Sequence, residues 1–247
     1  MKLRLLSDLH QEFYHDQLVY EPLGEDVLVV AGDLAVGPRE VVYALKRFAE
    51  KIANVVYVTG NHEYYNHSMP EVDAYIRLET RGSNVHFLNP GSVTLWADNK
   101  SEPVTFIGGT LWSNFNEDAI SKFACNRAIN DFRIIKNFST DRCAELYDVH
   151  SAYIKEAYSR LPGKKVIVTH FLPDLACISE QYRGPDPING YFANNLGNWI
   201  ADMQDVPLWL FGHTHDNIDV TIGETRCIAN PYGYNRNKNY KEMMVSV

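Results

Sequence analysis

Five short apolar runs in this chain each end in residue types that bind metal ions or move protons. Residues 3–6 run into Asp8-Leu9-His10, 27–30 into Gly32-Asp33, and 55–58 into Gly60-Asn61-His62-Glu63. Residues 166–168 run into His170, and 208–211 into Gly212-His213-Thr214-His215. The ends carry two aspartates, one asparagine and five of the nine histidines of the chain, with Glu63 read as a loop-positioning residue. Singly, each is an ordinary turn former or cap; together they form a ligand set. Mixed carboxylate and imidazole donors suit Mn, Fe or Zn and fit Mg poorly, because Mg prefers oxygen ligands and keeps its waters. The imidazoles exceed what one catalytic ion with an open position needs. Two ions sharing one bridging carboxylate use them all. Side chains two apart on an extended segment point the same way, so Asp8 and His10 are expected to grip one ion together, and His213 and His215 to serve the cluster twice. Gly32, Gly60 and Gly212 stand where sharp turns or close backbone approach would be needed. The other histidines, His15, His67, His86 and His150, follow no such run and read as surface or core residues.

The elements that position these ends follow from the pattern. Apolar runs of about four residues without polar alternation predict strands buried on both faces, and ligands in α/β sheets sit beyond the carboxyl ends of such strands. Helices are predicted from Pro38 to Ile52, from Pro70 to about Thr80, and from Asp141, as N-cap, to Leu161 with His150 on its apolar stripe. Further strands are expected at 93–96, 104–107, 220–222, 225–229 and 243–247. The reading is one α/β domain over 1–247 with a second, more antiparallel strand set. Residues 112–140 and 173–194 read as substrate-side insertions, since loops that long are usually functional or disordered.

Composition narrows the class. The chain has 247 residues, 45% hydrophobic and 22% charged, enough apolar material for a sizeable core. A net charge of −8 argues against broad duplex nucleic-acid binding, which needs a basic face. Cys125, Cys143, Cys177 and Cys227 match no zinc-site or C-x-x-C spacing, so a reduced, cytoplasmic setting is expected. No apolar run reaches membrane-spanning length, and the N-terminal apolar run is too short for a signal peptide.

Taken together, Asp8-Leu9-His10, Gly32-Asp33, Gly60-Asn61-His62-Glu63, His170 and Gly212-His213-Thr214-His215 resemble, in order, the motifs of the calcineurin-like metallophosphoesterase superfamily. The resemblance spans residues 8 to 215. It implies a layered α-β-β-α sandwich with two central mixed sheets flanked by helices. It implies a dinuclear site in which Asp8, His10 and His215 bind one divalent transition-metal ion, Asn61, His170 and His213 bind the other, and Asp33 bridges them. His62 would touch the scissile phosphate and is the catalytic candidate to stabilise or protonate the leaving oxygen, and a hydroxide between the ions would be the nucleophile. Serine/threonine protein phosphatases of this superfamily follow the bridging Asp with a further Asp and then Arg-Gly. Here Leu34-Ala35-Val36-Gly37-Pro38 follows, so the pattern is nearer to small bacterial or phage phosphoesterases and cyclic-nucleotide-phosphodiesterase-like members. The expected activity is hydrolysis of small phosphomonoesters or phosphodiesters such as nucleotides, with Mn first among the ions and Fe or Zn as alternatives. A nuclease acting on short single strands and a non-catalytic interaction module keeping the fold are the rival readings. Tyr182, Arg183, Tyr191, Asn114 and Arg133 are the candidate substrate-binding residues, joined by Trp112, Asn130, Phe192 and Asn194. Aromatic rings would stack on a base and an arginine would hold a second phosphate. The tail Asn230-Pro231-Tyr232-Gly233-Tyr234 is a further candidate to reach the site.

Overall fold

The computed structural model describes residues 1–14, 20–97, 102–234 and 240–247; His15 lies outside them. In chain order the strands are β1 (Lys2–Leu6), β2 (Val27–Ala31), β3 (Val55–Val58), β4 (Val85–Phe87), β5 (Gly91–Leu95) and β6 (Val104–Gly109). They continue with β7 (Lys165–Thr169), β8 (Leu208–Phe211), β9 (Ile218–Ile222), β10 (Thr225–Ala229) and β11 (Met244–Ser246). They form a sheet of order β11-β1-β2-β3-β4 and a second of order β5-β6-β7-β8-β10-β9. Strands β1 to β4 are parallel, with β11 antiparallel at the edge. In the second sheet β6, β7, β8 and β10 are parallel, and only the edge strands β5 and β9 run antiparallel. The expected antiparallel character of this set is therefore confined to its edges.

The apolar runs lack polar alternation because both faces of each central strand are covered. Leu3, Leu5, Val29, Val56 and Val58 meet Phe106, Val166, Val168, Leu210 and Ile228 between the sheets. The opposite faces pack under helices. Helices α1 (Pro38–Ala49) and α2 (Met69–Thr80) cover the first sheet, where Val30 and Leu28 join a core with Val41, Leu45 and Phe48. Helices α3 (Ala119–Ala128), α4 (Asp131–Ile134) and α5 (Thr140–Arg160) follow, and α5 packs on β6. Two short helices, α6 (Asn189–Phe192) and α7 (Gly197–Ala201), lie between β7 and β8. The result is the α-β-β-α sandwich that the motifs imply.

Local signals mostly set the helix ends. Pro38 occupies the first turn of α1, where its missing N–H costs nothing. The N-cap of α5 is Ser139, whose Oγ accepts from Arg142 N at 3.2 Å, and Asp141 sits in the first turn instead of capping it. The two chemistries compete within two residues of each other, and the hydroxyl has the cap geometry while the carboxylate favours the helix dipole from inside. His150 is on the buried face of α5, and its Nδ1 accepts from Leu111 N at 3.2 Å. Burial pushes its pKa down to about 3, so it is a neutral core residue. No helix among the described residues is long and apolar enough to cross a membrane.

Candidate active site

Parallel pairing places the carboxyl ends of β1, β2 and β3 side by side, and likewise those of β7 and β8. The segments leaving these ends meet across the gap between the sheets. They do not meet by simple strand alternation. Asp8, His10, Asp33, His213 and His215 all have positive φ, between 43° and 66°. Each segment turns through the left-handed region just where it carries a ligand, a conformation that costs non-glycine residues free energy and tends to concentrate at functional sites. The expectation that Asp8 and His10 share a direction through an extended backbone is therefore corrected: turns aim them. Hydrogen bonds hold these turns, from Asp8 N to Gly32 O at 3.0 Å, His10 N to Asp33 O at 2.9 Å, and His213 N to Asp8 Oδ1 at 2.9 Å.

Two glycines make room for the cluster. A Cβ on Gly60 would collide with Asp33 Oδ1 and lie 2.7 Å from His170 Nε2, and one on Gly32, at φ +84°, would strike the His170 ring. Glu63 ties the loops together, as expected of it. Its carboxylate accepts from Leu34 N at 2.8 Å, Gly60 N at 2.9 Å, Asp33 N at 3.2 Å and the Tyr57 hydroxyl at 2.8 Å.

The donor atoms fall into two groups that share one carboxylate. Asp8, His10, Asp33 and His215 offer ligand atoms within 4.8 Å of one another, and so do Asp33, His170 and His213. His10 Nε2 lies 3.1 Å from His215 Nε2, His215 Nε2 3.4 Å from Asp8 Oδ1, and His10 Nε2 3.7 Å from Asp33 Oδ2. In the second group His170 Nε2 lies 3.4 Å from Asp33 Oδ2 and 3.2 Å from Asn61 Oδ1. His170 Nδ1 donates to Ala31 O at 2.8 Å, which leaves the Nε2 lone pair facing the cluster. Asp8 Oδ2 and His213 Nε2 are buried without a hydrogen-bond partner. A buried polar atom without a partner is costly, and two of them among converging donors fit a pair of cations.

The electrostatics point the same way. Burial alone would raise the pKa of Asp8, yet the neighbouring His215 and His170 hold it at about 2. Asp33 is likewise held well below the usual carboxylate range. Burial would depress His170, but Asp33 draws its pKa up to about 9. Burial pushes His213 down, and His170 beside it adds to the effect. Two desolvated carboxylates therefore demand positive charge, which histidine protons or bound cations would supply among the described residues.

His62 stands beside this cluster on the cavity wall, 5% exposed. Its backbone N–H donates to Asp33 Oδ1 at 2.9 Å. Its Nδ1 donates to Glu12 Oε1 at 2.9 Å, and His10 Nδ1 donates to the same oxygen at 3.1 Å. Burial would lower the His62 pKa, but Asp33 and Glu12 outweigh it and lift it to about 9. Tyr234 closes the other side, with its hydroxyl 3.1 Å from His62 Nε2 and its ring 4.4 Å from His10 and 4.3 Å from His215. The tail thus reaches the site, carried there by Tyr232 N and Gly233 N, which donate to Ser7 O and Asp8 O.

A cavity of about 520 Å³ opens above the cluster. The two insertions wall it, joined by Ser121 Oγ donating to Pro187 O at 2.6 Å and Asn194 Nδ2 donating to Trp112 O at 2.9 Å. Tyr182, Tyr191, Asn130 and Phe192 line the cavity. The Tyr191 hydroxyl donates to Asp131, so it is spent on the wall. Trp112 and Asn194 are buried in the core. Asn114, Arg133 and Arg183 do not line the cavity, contrary to expectation. Asn114 caps residues 115–117 by accepting from Asn116 N at 3.0 Å. Arg133 donates to Arg127 O and, at 3.3 Å, to Asn130 Oδ1. Arg183 donates to Ile178 O at 3.1 Å and Ala176 O at 3.4 Å. Each guanidinium satisfies carbonyls of its own neighbourhood, which sequence cannot reveal.

Three residues escaped the sequence reading. Glu12 is a carboxylate two residues beyond His10, a spacing visible in the chain. Asp131 lies in the first insertion, between the candidates Asn130 and Arg133. Tyr65 joins the two halves: its hydroxyl donates to Asp131 Oδ1 at 2.7 Å, and Asn61 Nδ2 donates to Tyr65 at 3.4 Å, so that Asn61 Oδ1 faces His170.

Comparison with known proteins agrees with this geometry. A relative from Acanthamoeba polyphaga mimivirus, an uncharacterized protein, is 25% identical over 96% of this chain and 92% of its own length. The phosphopantetheinyl hydrolase of Mycobacterium tuberculosis superposes with a TM-score of 0.80 at 18% identity, covering 100% of this chain and 95% of that one. A dimetal phosphatase from Danio rerio superposes with a TM-score of 0.51 at 16% identity, covering 98% and 90%. The family model for calcineurin-like phosphoesterases matches residues 1–217. With the five motifs in order along that span, the chain belongs to the calcineurin-like phosphoesterase family and is a metal-dependent phosphoesterase.

Proposed function

We propose that this protein hydrolyses small phosphomonoesters or phosphodiesters at a dinuclear centre, with Mn as the working ion and Fe or Zn as chemically suitable substitutes. The observation that carries the reading is the pair of donor groups sharing Asp33, each with a buried, partnerless ligand atom. Asp8, His10 and His215 would hold one ion, Asn61, His170 and His213 the other, with Asp33 between them. Two such ions supply a water of lowered pKa and offset charge building on the phosphoryl oxygens.

The chain's own groups do the rest. His62 lines the cavity with its Nε2 beside the Tyr234 hydroxyl at 3.1 Å, and it would give its proton to the leaving alkoxide oxygen once substrate takes that place; general-acid catalysis is typically worth about 10²–10⁴-fold. Glu12 accepts from Nδ1 of His62 and so keeps the proton of Nε2 on the side of Tyr234 and the substrate; its bond to His10 Nδ1 turns the His10 Nε2 lone pair inward. No serine or cysteine nucleophile is needed, so no covalent intermediate is expected. Diesters with an organic arm belong among the test substrates, supported by the fold match to a phosphopantetheinyl hydrolase. The four cysteines, free and buried, suit a cytoplasmic protein.

Hydrolysis of bis-p-nitrophenyl phosphate and p-nitrophenyl phosphate, with Mn added or chelated, tests the reading. Mn-dependent turnover of at least one is expected. Asp33→Asn removes the bridging charge and is expected to abolish turnover and lower bound metal; normal activity with full metal content in that variant would overturn the assignment.

A further inference from the structure

An asparagine can serve a metal ion only through its carbonyl oxygen, because its amide nitrogen is a donor. The two ends of the amide are nearly alike in shape, so its hydrogen bonds decide which end faces the ion. Asn61 Oδ1 lies 3.2 Å from His170 Nε2, and Asn61 Nδ2 donates to the Tyr65 hydroxyl at 3.4 Å. That bond requires the Tyr65 oxygen to accept, with its own proton spent elsewhere. The proton goes to Asp131 Oδ1 at 2.7 Å, and Asp131 Oδ2 accepts from the Tyr191 hydroxyl in the same way. An ionised carboxylate can only accept, so it fixes the direction of both phenols. Burial pushes the Asp131 carboxyl up, and the two hydroxyl bonds, which favour its charged form, act against that rise. The backbone holds the relay in register. Tyr65 forms an antiparallel bridge with Ile135, Asn66 N donates to Ile134 O at 3.1 Å, and Lys136 N donates to His67 O at 3.2 Å. The first insertion is thereby pinned to the loop that carries Asn61 and His62.

We infer that Asp131 is a positioning residue for one of the two ions: by taking the Tyr65 proton it sets the direction of the Asn61 amide, and so turns Asn61 Oδ1 to the site shared with His170 and His213. The inference rests on the proposed dinuclear centre. Asp131 lies outside the five ligand-bearing segments, in the insertion that walls the cavity, and it is 3% exposed. The relay runs to one donor group alone. Asp8, His10 and His215 make up the other group with Asp33, and they are aimed by their own turns and by Glu12. A change at Asp131 therefore acts on the two ions unequally. Tyr65, Asp131 and Tyr191 also line the cavity, so one metal site is completed by the segments that face the substrate.

Asp131→Asn keeps the size of the side chain but offers one acceptor to two phenols. Tyr65 is then free to turn its proton toward Asn61, and the amide that answers it presents Nδ2 to the cluster. Calorimetric titration of the metal-free full chain with Mn is expected to show one of two affinities reduced by about 10–100-fold, the range for loss of an outer partner, with the other kept. Anomalous scattering from crystals at limiting Mn is expected to place the loss at Asn61, His170 and His213. Tyr65→Phe is expected to reproduce the loss, and adding Asp131→Asn to it to cost little more, since both act on one proton. Tyr191→Phe leaves Tyr65 paired with Asp131 and is expected to keep both Mn affinities. The two phenol variants leave the buried carboxylate in place and carry the test if Asp131→Asn does not fold. Unchanged affinities in Asp131→Asn, equal losses at both sites, or equal losses from Tyr65→Phe and Tyr191→Phe overturn the inference alone. A parent chain that takes up no second Mn overturns the dinuclear reading and the inference with it.

Discussion

Glu12→Ala removes the one oxygen that accepts from Nδ1 of both His10 and His62, at 3.1 and 2.9 Å. The effect on His62 should show in the leaving group. A hydrogen bond to a charged partner contributes roughly 1.5–3 kcal/mol, which corresponds to about ten- to a hundredfold in rate if it is realised in the transition state. That loss lies within the roughly 10²–10⁴-fold typical of general-acid catalysis. The assay compares an alkyl p-nitrophenyl diester, which can leave as phenolate, with a dialkyl ester, whose alkoxide needs the proton. At saturating Mn the dialkyl ester should slow by about ten- to a hundredfold and the p-nitrophenyl ester by less than about threefold. His62→Ala should give the same pattern with a larger amplitude, and the double variant should lose little more than His62→Ala, because both act on one proton. Glu12→Gln keeps an acceptor oxygen and should recover part of the rate. Saturating metal is essential, since loosening His10 is expected to weaken Mn binding as well. An equal loss on both esters, or an alkyl rate unchanged by Glu12→Ala, would refute the reasoning.

Three further perturbations follow from the same structure. Gly60→Ala should empty the site, because its Cβ collides with Asp33 Oδ1 and crowds His170; elemental analysis should show metal lost together with activity while the far-ultraviolet circular dichroism stays native. Tyr65→Phe frees the Asn61 amide that Tyr65 orients and should weaken Mn binding about 10–100-fold at one of the two sites, as loss of an outer partner typically does, with kcat at saturating Mn largely kept. Asp73 is a pH probe away from the metal centre. Burial pushes its carboxyl up to about 6 despite bonds from Tyr64 and Asn89. A folded pKa above the unfolded one means a contribution that is complete below about pH 4 and lost as pH rises through 6. Chemical denaturation should therefore find Asp73→Asn equal to the parent near pH 4 and more stable at pH 8 by up to roughly 3 kcal/mol. A pH-independent difference would disprove it.

The ligand-bearing strand ends were legible because parallel strands covered on both faces spell continuous apolar runs, and the break to Asp, Asn or His is abrupt. Helices α1, α2 and α5 were legible to within a few residues from their spacing. The three-residue strand β4 was too short to give a pattern. The cap of α5 moved from Asp141 to Ser139 because either side chain could serve and only the entry path of the chain decides. The sequence expectation erred most over the cations. Arg133 and Arg183 lie in the insertions as supposed, but a long side chain bonds to whatever carbonyl its loop presents.

The sequence by itself determined which groups could hold ions and in which order they leave the sheets, since these rest on residue type and local periodicity; the layered fold followed from the resemblance of the five motifs to a known superfamily, and periodicity alone gave only one α/β domain. Tertiary structure alone decided how they aim. The left-handed turns at Asp8, His10, Asp33, His213 and His215 are held by partners far along the chain, and Glu12 became the shared acceptor of His10 and His62 only when the folded chain carried His62 to it across 50 residues. Such couplings depend on distances between segments that no local pattern encodes.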